Sequence, residues 1–241
     1  MTTSERDRHG REIGHEHRDV SGGWLRPAVF GAMDGLVTNV SLIAGVGGGG
    51  GSQHAIVLTG LAGLAAGAFS MAAGEYVSVS SQNELIHAEV DKERRELKTN
   101  AIAEQAELAG MLRQSGLTAA TAKQAAAEIS SNPDKALAVH AMQELGIDPG
   151  DLPSPFVAAG ASLLSFSVGA IIPLLPFVLG FDALWAALGL SALAAIVGGG
   201  LVARMTSRAF WKGALRQLVL GGVAAGITYL IGLAVGGMAA A

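Results

Sequence analysis

The chain of 241 residues contains no cysteine, and Asp, Glu, Lys and Arg together make up only 15% of it. The absence of cysteine excludes disulfides and thiolate metal sites. Four long stretches carry no charged residue at all: 35–74, 152–181, 183–203 and 217–241. A helix needs about 20 apolar residues to span a bilayer. The sequence therefore predicts an all-α polytopic membrane protein in a lipid bilayer, with transmembrane helices near 28–47, 55–79, 155–178, 183–203 and 214–236.

The few basic residues predict an orientation. Four of them follow the fourth span with no acidic residue among them: Arg204, Arg208, Lys212 and Arg216. The loops near 47–54 and 179–182 carry no Lys or Arg. Basic residues are enriched in cytoplasmic loops. The basic loop after the fourth span is therefore expected inside, and the loops near 47–54 and 179–182 are expected outside. The N-terminus is then cytosolic and the C-terminus external.

Composition also divides the chain into four parts. They are a cytosolic N-terminal tail at 1–24, transmembrane helices 1–2 at 25–80, a cytosolic domain at 81–150 and transmembrane helices 3–5 at 151–241. The polar N-terminus has no sorting extension, which favours a bacterial cytoplasmic membrane. The net charge of −4 gives no reason to expect a nucleic-acid partner.

The cytosolic domain carries an acidic stripe on one predicted helix, which continues from the second span to about Gln114. At about 100° per residue its four glutamates fall within a sector of roughly 80°, and Glu89 joins them; the four are Glu93, Glu96, Glu104 and Glu107. Like charges at this spacing destabilise a helix, so divalent cations are the expected partners. Two further helices are predicted, near 118–131 and from Asn132-Pro133 to Gly146, which completes a three-helix domain inserted between transmembrane helices 2 and 3.

Polar residues within the spans are candidates for a transport pathway, because ionisable groups in a bilayer are costly. Asp34 and Met71 are predicted at similar depth, about 12 and 13.5 Å from the same membrane end. Glu75 lies one turn from Met71, and Asn39 adds a polar oxygen. A carboxylate with a thioether favours Fe²⁺ or Mn²⁺ over Mg²⁺ or Ca²⁺. Three alternatives stay open: a structural hydrogen bond for Asp34, core packing for Met71 and an interfacial carboxylate for Glu75.

Three motifs and the acidic stripe resemble the vacuolar iron transporter family. The motifs are Phe30-Gly-Ala-Met-Asp34-Gly35, Ser70-Met71-Ala-Ala-Gly74-Glu75-Tyr76 and Gly169-Ala-Ile-Ile-Pro173-Leu. The resemblance implies a homodimer with a three-helix metal-binding domain, which exports Fe²⁺ or Mn²⁺ from the cytosol in exchange for protons. It also implies pathway residues Asp34 and Met71, and metal ligands Glu93, Glu96, Glu104, Glu107 and Glu144.

The chain departs from the family at one turn of the predicted third helix. Some members carry methionines there, whereas this chain has His140 and, closer to Glu144, Met142. Imidazole at His140 would favour Fe²⁺, Ni²⁺ or Zn²⁺ in the cytosolic domain, while a plain surface histidine is the alternative. Apart from bound or transported metal, no cofactor is expected.

An enzyme is not expected, although Glu84-Leu-Ile-His87 and Glu12-Ile-Gly-His15 have the Glu-x-x-His spacing of di-iron carboxylate sites. Glu84 lies about 180° from the acidic stripe. Two other readings remain: a membrane-anchored metal sensor that moves no metal, and a metal channel without proton coupling.

Overall fold

The computed structural model describes residues 23–181 and 183–239, and within these ranges it is helical without a strand. The helices are α1 Leu25–Gly48, α2 Gln53–Thr99, α3 Ala101–Gln114, α4 Ala119–Ser130, α5 Pro133–His140, α6 Pro155–Ile171, α7 Leu175–Val178, α8 Leu184–Met205 and α9 Phe210–Ala239. Five helical stretches are long and apolar enough to cross a membrane, and they start at Leu25, Gln53, Pro155, Leu184 and Phe210. The all-helical class and the five candidate spans are therefore confirmed.

The five candidate spans form an antiparallel bundle with two distinct ends. The short turns after α1 and α7 lie at one end, which we call the turn end. We call the opposite end the insertion end. The chain segment between α2 and α6 is attached there, and the loop between α8 and α9 lies at the same end. Gly50, whose φ is 76°, allows the tight reversal between α1 and α2.

Helix α2 is far longer than a bilayer requires. Its 47 residues correspond to about 70 Å of helix, more than twice the roughly 30 Å of a hydrocarbon core. Residues 53–74 of this helix carry no Asp, Glu, Lys or Arg, and apart from Glu75 its charged residues lie from Glu84 onward. The second half therefore projects beyond the insertion end, where it contacts α3 and α5.

The prediction of one helix running to Gln114 is wrong, because the chain breaks at Asn100. Asn100 has φ −127° and ψ 31°, outside the helical region, and its N–H closes α2 by donating to the Glu96 carbonyl. Helix α3 starts afresh at Ala101. Asparagine is a weak helix former whose side chain competes for backbone hydrogen bonds, so a break here is locally inexpensive.

The two following helices lie close to where the sequence puts them. Thr118 caps α4 by accepting a hydrogen bond from the N–H of Thr121. Asn132 caps α5 by accepting from the N–H groups of Asp134 and Lys135, with Pro133 in the first turn. Helix α5 then widens into a π-helical turn at Ala141–Leu145, which ends at Gly146 with φ 67°.

Glycine contacts bring the membrane helices together. A Cβ on Gly35 of α1 would overlap the backbone carbonyl of Phe166 in α6, and one on Gly169 would overlap the carbonyl of Ala32. Gly232 of α9 meets Gly45 of α1 in the same way. Backbones that approach this closely gain packing contacts that lipid cannot supply.

The third candidate span bends where Pro173 and Pro176 remove backbone donors. A short 3₁₀ turn at Ile172–Leu174 separates α6 from α7, as Pro173 and Pro176 predict. Asn39 of α1 is fully buried beside the bend and donates from its side-chain amide to the Ala170 carbonyl at 2.5 Å. Ile43, Leu174 and Phe177 form a core cluster next to it.

Candidate metal centre

Four potential metal ligands converge beyond the insertion end. Each offers one atom, and these atoms lie within 4.8 Å of one another; the residues are Glu93, Glu104, His140 and Glu144. We call this group the carboxylate cluster. His140 lies at its centre, with Nδ1 at 3.0 Å from Glu93 Oε1, 3.1 Å from Glu144 Oε1 and 4.0 Å from Glu104 Oε2. The cluster thus joins three separate stretches of helix.

The break at Asn100 makes this convergence possible. On one straight helix Glu93 and Glu104 would lie about 16.5 Å apart along the axis. With the break, a carboxylate of α2 and a carboxylate of α3 reach the same point. His140 and Glu144 are four residues apart on α5 and its π-helical turn, so they share one face. The stripe predicted along a helix is therefore folded back into a compact site.

Three of the four cluster residues are buried although the cluster is strongly acidic, and the fourth, Glu144, is exposed. His140 is 0% exposed, Glu93 6% and Glu104 8%. His140 Nε2 and Glu93 Oε1 have no hydrogen-bond partner of acceptable geometry among the described residues. Buried carboxylates without a matching cation are costly. The site is electrostatically incomplete with its protein atoms alone.

Both buried carboxylates are pushed toward their protonated form. Burial raises the pKa of Glu93, and the charge of Glu144 raises it further, while His140 opposes the shift. Burial likewise raises the pKa of Glu104, with Glu107 adding to it and His140 again opposing. A divalent cation would oppose both shifts by favouring the ionised carboxylates, and it would displace protons, since carboxylate ligands bind metals in their ionised form.

The ligand set suits a borderline divalent metal. Ca²⁺ prefers six to eight oxygen ligands, whereas an imidazole nitrogen suits Zn²⁺, Fe²⁺ and Ni²⁺, and carboxylates suit Mn²⁺. Three carboxylates and one imidazole fit this middle group. His140 is the residue that turns a plain acidic patch into such a site, and its zero exposure rules out the alternative of a surface histidine.

The other predicted ligands lie around the cluster. Glu89 and Glu96 line a small cavity of about 40 Å³ together with Glu93, Glu144 and Lys92. Glu107 is exposed, but its charge acts on Glu104.

Three further candidates lie outside the cluster. Met142 is 50% exposed, whereas His140, two residues before it, is fully buried. Glu84 and His87 are exposed and also stand apart from it. The second Glu-x-x-His motif, at 12–15, falls outside the described residues.

The predicted pathway residues have separate neighbours within the single chain. Asp34 is half-buried and accepts a hydrogen bond of 3.4 Å from Thr38 Oγ1. Met71 packs against a cluster that contains Phe166 and Ala170 of α6. Glu75 is half-buried. Asn39, besides its bond to Ala170, has a buried Oδ1 without a partner among the described residues.

Comparison with known proteins places these features in a family. Residues 25–233 match the VIT family. The chain belongs to the VIT family. It is 34% identical to a vacuolar iron transporter of Acanthamoeba castellanii, over 91% of this chain and 82% of that protein. It is also 36% identical to vacuolar iron transporter homolog 3 of Arabidopsis thaliana and 35% identical to vacuolar iron transporter homolog 1 of Oryza sativa subsp. japonica, each over 86% of this chain and over 80% and 71% of those proteins.

Membership confirms the resemblance read from the motifs. This VIT-family chain has the five candidate spans and, between the second and third of them, the residues that hold the carboxylate cluster. The break at Asn100 and the π-helical turn after His140 are the local features that sequence reasoning missed. The Asn100 break had one available signal, an asparagine between Thr99 and a run of good helix formers.

Proposed function

We propose that this VIT-family member exports Fe²⁺ or Mn²⁺ from the cytosol in exchange for protons. The observation that carries the proposal is the carboxylate cluster, an electrostatically incomplete and mostly buried group of three glutamates and one histidine on a five-span membrane bundle. The vacuolar iron transporters to which the chain is similar support iron as a substrate. Imidazole at His140 also admits Zn²⁺.

The carboxylate cluster acts as the capture site. Glu93 and Glu104 are the residues at which metal and protons compete, because burial raises the pKa of both. Glu89, Glu96 and Glu107 surround the cluster with negative charge, which raises the local concentration of divalent cations. The basic loop between α8 and α9 supports a cytosolic insertion end, so the cluster faces the compartment from which metal leaves.

Metal then crosses the bundle along Asp34, Met71, Glu75 and Asn39. Asp34 supplies a carboxylate on α1, and the unpartnered Oδ1 of Asn39 lies one to two turns farther along the same helix. A carboxylate that carries either a proton or a metal provides the exchange. Thioether sulfur at Met71 disfavours Mg²⁺ and Ca²⁺.

A homodimer would complete this pathway. Only 17% of the apolar window of α2 is buried within the single chain. Small residues recur every four positions along its exposed face, at Ala62, Ala66, Ser70 and Gly74. Such spacing allows a second helix to approach closely in a bilayer.

Metal flux into proteoliposomes tests the proposal. Vesicles hold a metal-sensitive dye and are given Fe²⁺ or Mn²⁺ outside, with and without an imposed pH gradient. We expect gradient-dependent uptake that Asp34→Asn abolishes and that Asp151→Asn, a change at an exposed aspartate outside the bundle, leaves intact. Wild-type flux in Asp34→Asn would contradict the pathway.

Two other outcomes select the alternatives. Flux that ignores the pH gradient would indicate a metal channel. Absence of flux in a folded protein that still binds metal at the carboxylate cluster would indicate a membrane-anchored sensor. Uptake of Ca²⁺ and Mg²⁺ at the rate of Fe²⁺ would contradict the selectivity expected from Met71 and His140.

A further inference from the structure

A large cavity lies in the membrane bundle, and no residue assigned to metal lines it. It has a volume of about 320 Å³. Val40 of α1 contributes to its floor, Leu188 and Ala192 of α8 form one wall, and Gly222 and Gly226 of α9 form the other. We call it the α8–α9 groove. It contains no charged lining residue, and the hydroxyl of Ser191 in its wall already donates to the Ala187 carbonyl at 2.7 Å.

The groove exists because α9 changes partners along its length. Near the insertion end α9 touches α8, where Gly213 and Gly199 are in backbone contact. Near the turn end it has moved onto α1, where Gly232 and Gly45 are in contact. Helices α8 and α9 therefore diverge toward the turn end, and the space between them has α1 as its base.

The dimensions of the groove match one leaflet of a bilayer. Its lining on α8 runs from Trp185, near the turn end, to Ala195, which is about 15 Å of helix. One leaflet contributes half of the roughly 30 Å hydrocarbon core. Trp185 is 74% exposed at the rim, in the position where tryptophans anchor proteins at the membrane interface.

The volume of the groove is too small for a helix to lie inside it. A helix with its side chains is 10–12 Å across, so a 15 Å length of it fills roughly 1,200 Å³ or more, against a cavity volume of about 320 Å³. An extended hydrocarbon chain, whose atoms contact neighbours at about 4 Å, has the required shape and polarity.

We propose that the α8–α9 groove binds one acyl chain of a phospholipid from the leaflet at the turn end. The chain would fill the space between α8 and α9 and rest on α1, the helix that carries Asp34. Lipid bound here would hold the diverging helices at a fixed separation, and none of the residues assigned to the metal pathway lines the groove. This assignment does not depend on which metal the protein moves.

Photolabelling of the full chain tests the proposal. The protein is reconstituted in phosphatidylcholine vesicles that contain a trace of phosphatidylcholine with a diazirine on one acyl chain, and adducts are located by peptide mass spectrometry. We expect adducts concentrated on groove residues such as Leu218 and Leu188, compared with Val223 and Ile227, which lie exposed elsewhere on α9. Equal labelling of the two sets would overturn the proposal, and this comparison needs no variant.

Filling the groove provides the second arm. A Cβ on Gly222 or Gly226 meets no atom within 4 Å, so leucine at either position occupies the groove without a backbone clash. We expect Gly222→Leu and Gly226→Leu to lower the groove adducts at least about tenfold, because the side chain takes the volume of the lipid. The matched control is Gly189→Leu, on an exposed helical glycine of α8 that also has open space but does not line the groove. Undiminished adducts in both groove variants, or copy-to-copy crosslinks at the groove in wild type, would contradict acyl-chain binding.

Discussion

The membrane bundle and the inserted helices differ in the interactions that hold them together: backbone packing in the bundle and contacts between charged groups in the insertion. In the bundle, backbones are brought into contact through glycines such as Gly35, Gly169 and Gly232, and charged groups are nearly absent. In the insertion, three glutamates and a histidine meet within 4.8 Å, with Glu93 and Glu104 buried. The first arrangement relies on steric fit between uncharged backbones, whereas the second leaves negative charge without a partner.

Because of this difference, we expect metal to stabilise the inserted helices but not the packing of the bundle. Packing of the bundle relies on steric fit, which no ion improves. The carboxylate cluster relies on electrostatics, where a divalent cation replaces repulsion with attraction. Variants that damage one region should therefore leave the property of the other region unchanged, and the following tests start from the largest effect.

Adding a methyl group at the closest backbone approach should break the bundle. Gly169→Ala places a Cβ against the Ala32 carbonyl of α1, and backbone cannot give way as a flexible side chain does. We expect a loss of about 3 kcal/mol in stability, measured as a lower unfolding temperature in detergent. Metal should not rescue it.

The control for this change lies on the same helix. Gly160 of α6 has open space at its Cβ position, so Gly160→Ala should be neutral or stabilising by up to about 1 kcal/mol. Equal destabilisation by the two substitutions would show that glycine contacts do not hold the bundle together.

Neutralising the cluster should affect metal binding and spare the bundle. Glu93→Gln or Glu104→Gln removes a carboxylate ligand, and we expect the dissociation constant for Mn²⁺ to rise roughly 10- to 100-fold, measured by calorimetry on the full chain. Glu84→Gln, at an exposed glutamate in the charged half of α2, is the matched control. A cluster variant that binds like the control would remove the site.

Replacing His140 should change the metal selectivity of the carboxylate cluster. With His140→Met the preference for Zn²⁺ over Mn²⁺ should fall about tenfold, because a nitrogen ligand is exchanged for a thioether. Pulsed electron paramagnetic resonance of bound Mn²⁺ should show coupling to ¹⁴N in wild type and lose it in the variant. His87→Met, at an exposed histidine of α2, should retain both properties. Unchanged ¹⁴N coupling in His140→Met would exclude His140 as a ligand.

The smallest expected effect is on the pH dependence of stability in the metal-free protein. Burial raises the pKa of Glu104, so its contribution to stability is present below the ordinary pKa of about 4.3 and is lost as pH rises through the raised value. Glu104→Gln should abolish this loss and raise the unfolding temperature at neutral pH. Thermal unfolding of both proteins across pH without metal checks the sign, and a variant less stable than wild type at neutral pH would contradict it.

The two regions also differ in how much of their structure the sequence reveals. The spans follow from charge-free stretches longer than a bilayer requires, and the start of α5 follows from Asn132-Pro133. The carboxylate cluster could be predicted only as a stripe. Its convergence depends on the break at Asn100 and on packing of α5 against α2, which no local pattern encodes.

The bundle shows the same division between local signals and tertiary packing. Small-residue spacing indicates close helix approach, but which glycines meet, such as Gly45 with Gly232, is decided by the whole arrangement of helices. The position of Met71 in the sequence predicts its depth in the membrane, but it does not predict which residues of α6 contact it. The α8–α9 groove has no sequence signal, because it arises from the divergence of two helices.

Hydrogen exchange of the full chain with and without Mn²⁺ tests the central claim most directly. If a divalent cation completes the carboxylate cluster, then Mn²⁺ should slow exchange in peptides that contain Glu93, Glu104 and His140, and should leave α8 and α9 unchanged. The effect should disappear in Glu93→Gln. Exchange that is unaltered around these three residues, or slowed equally in the bundle, would contradict the account.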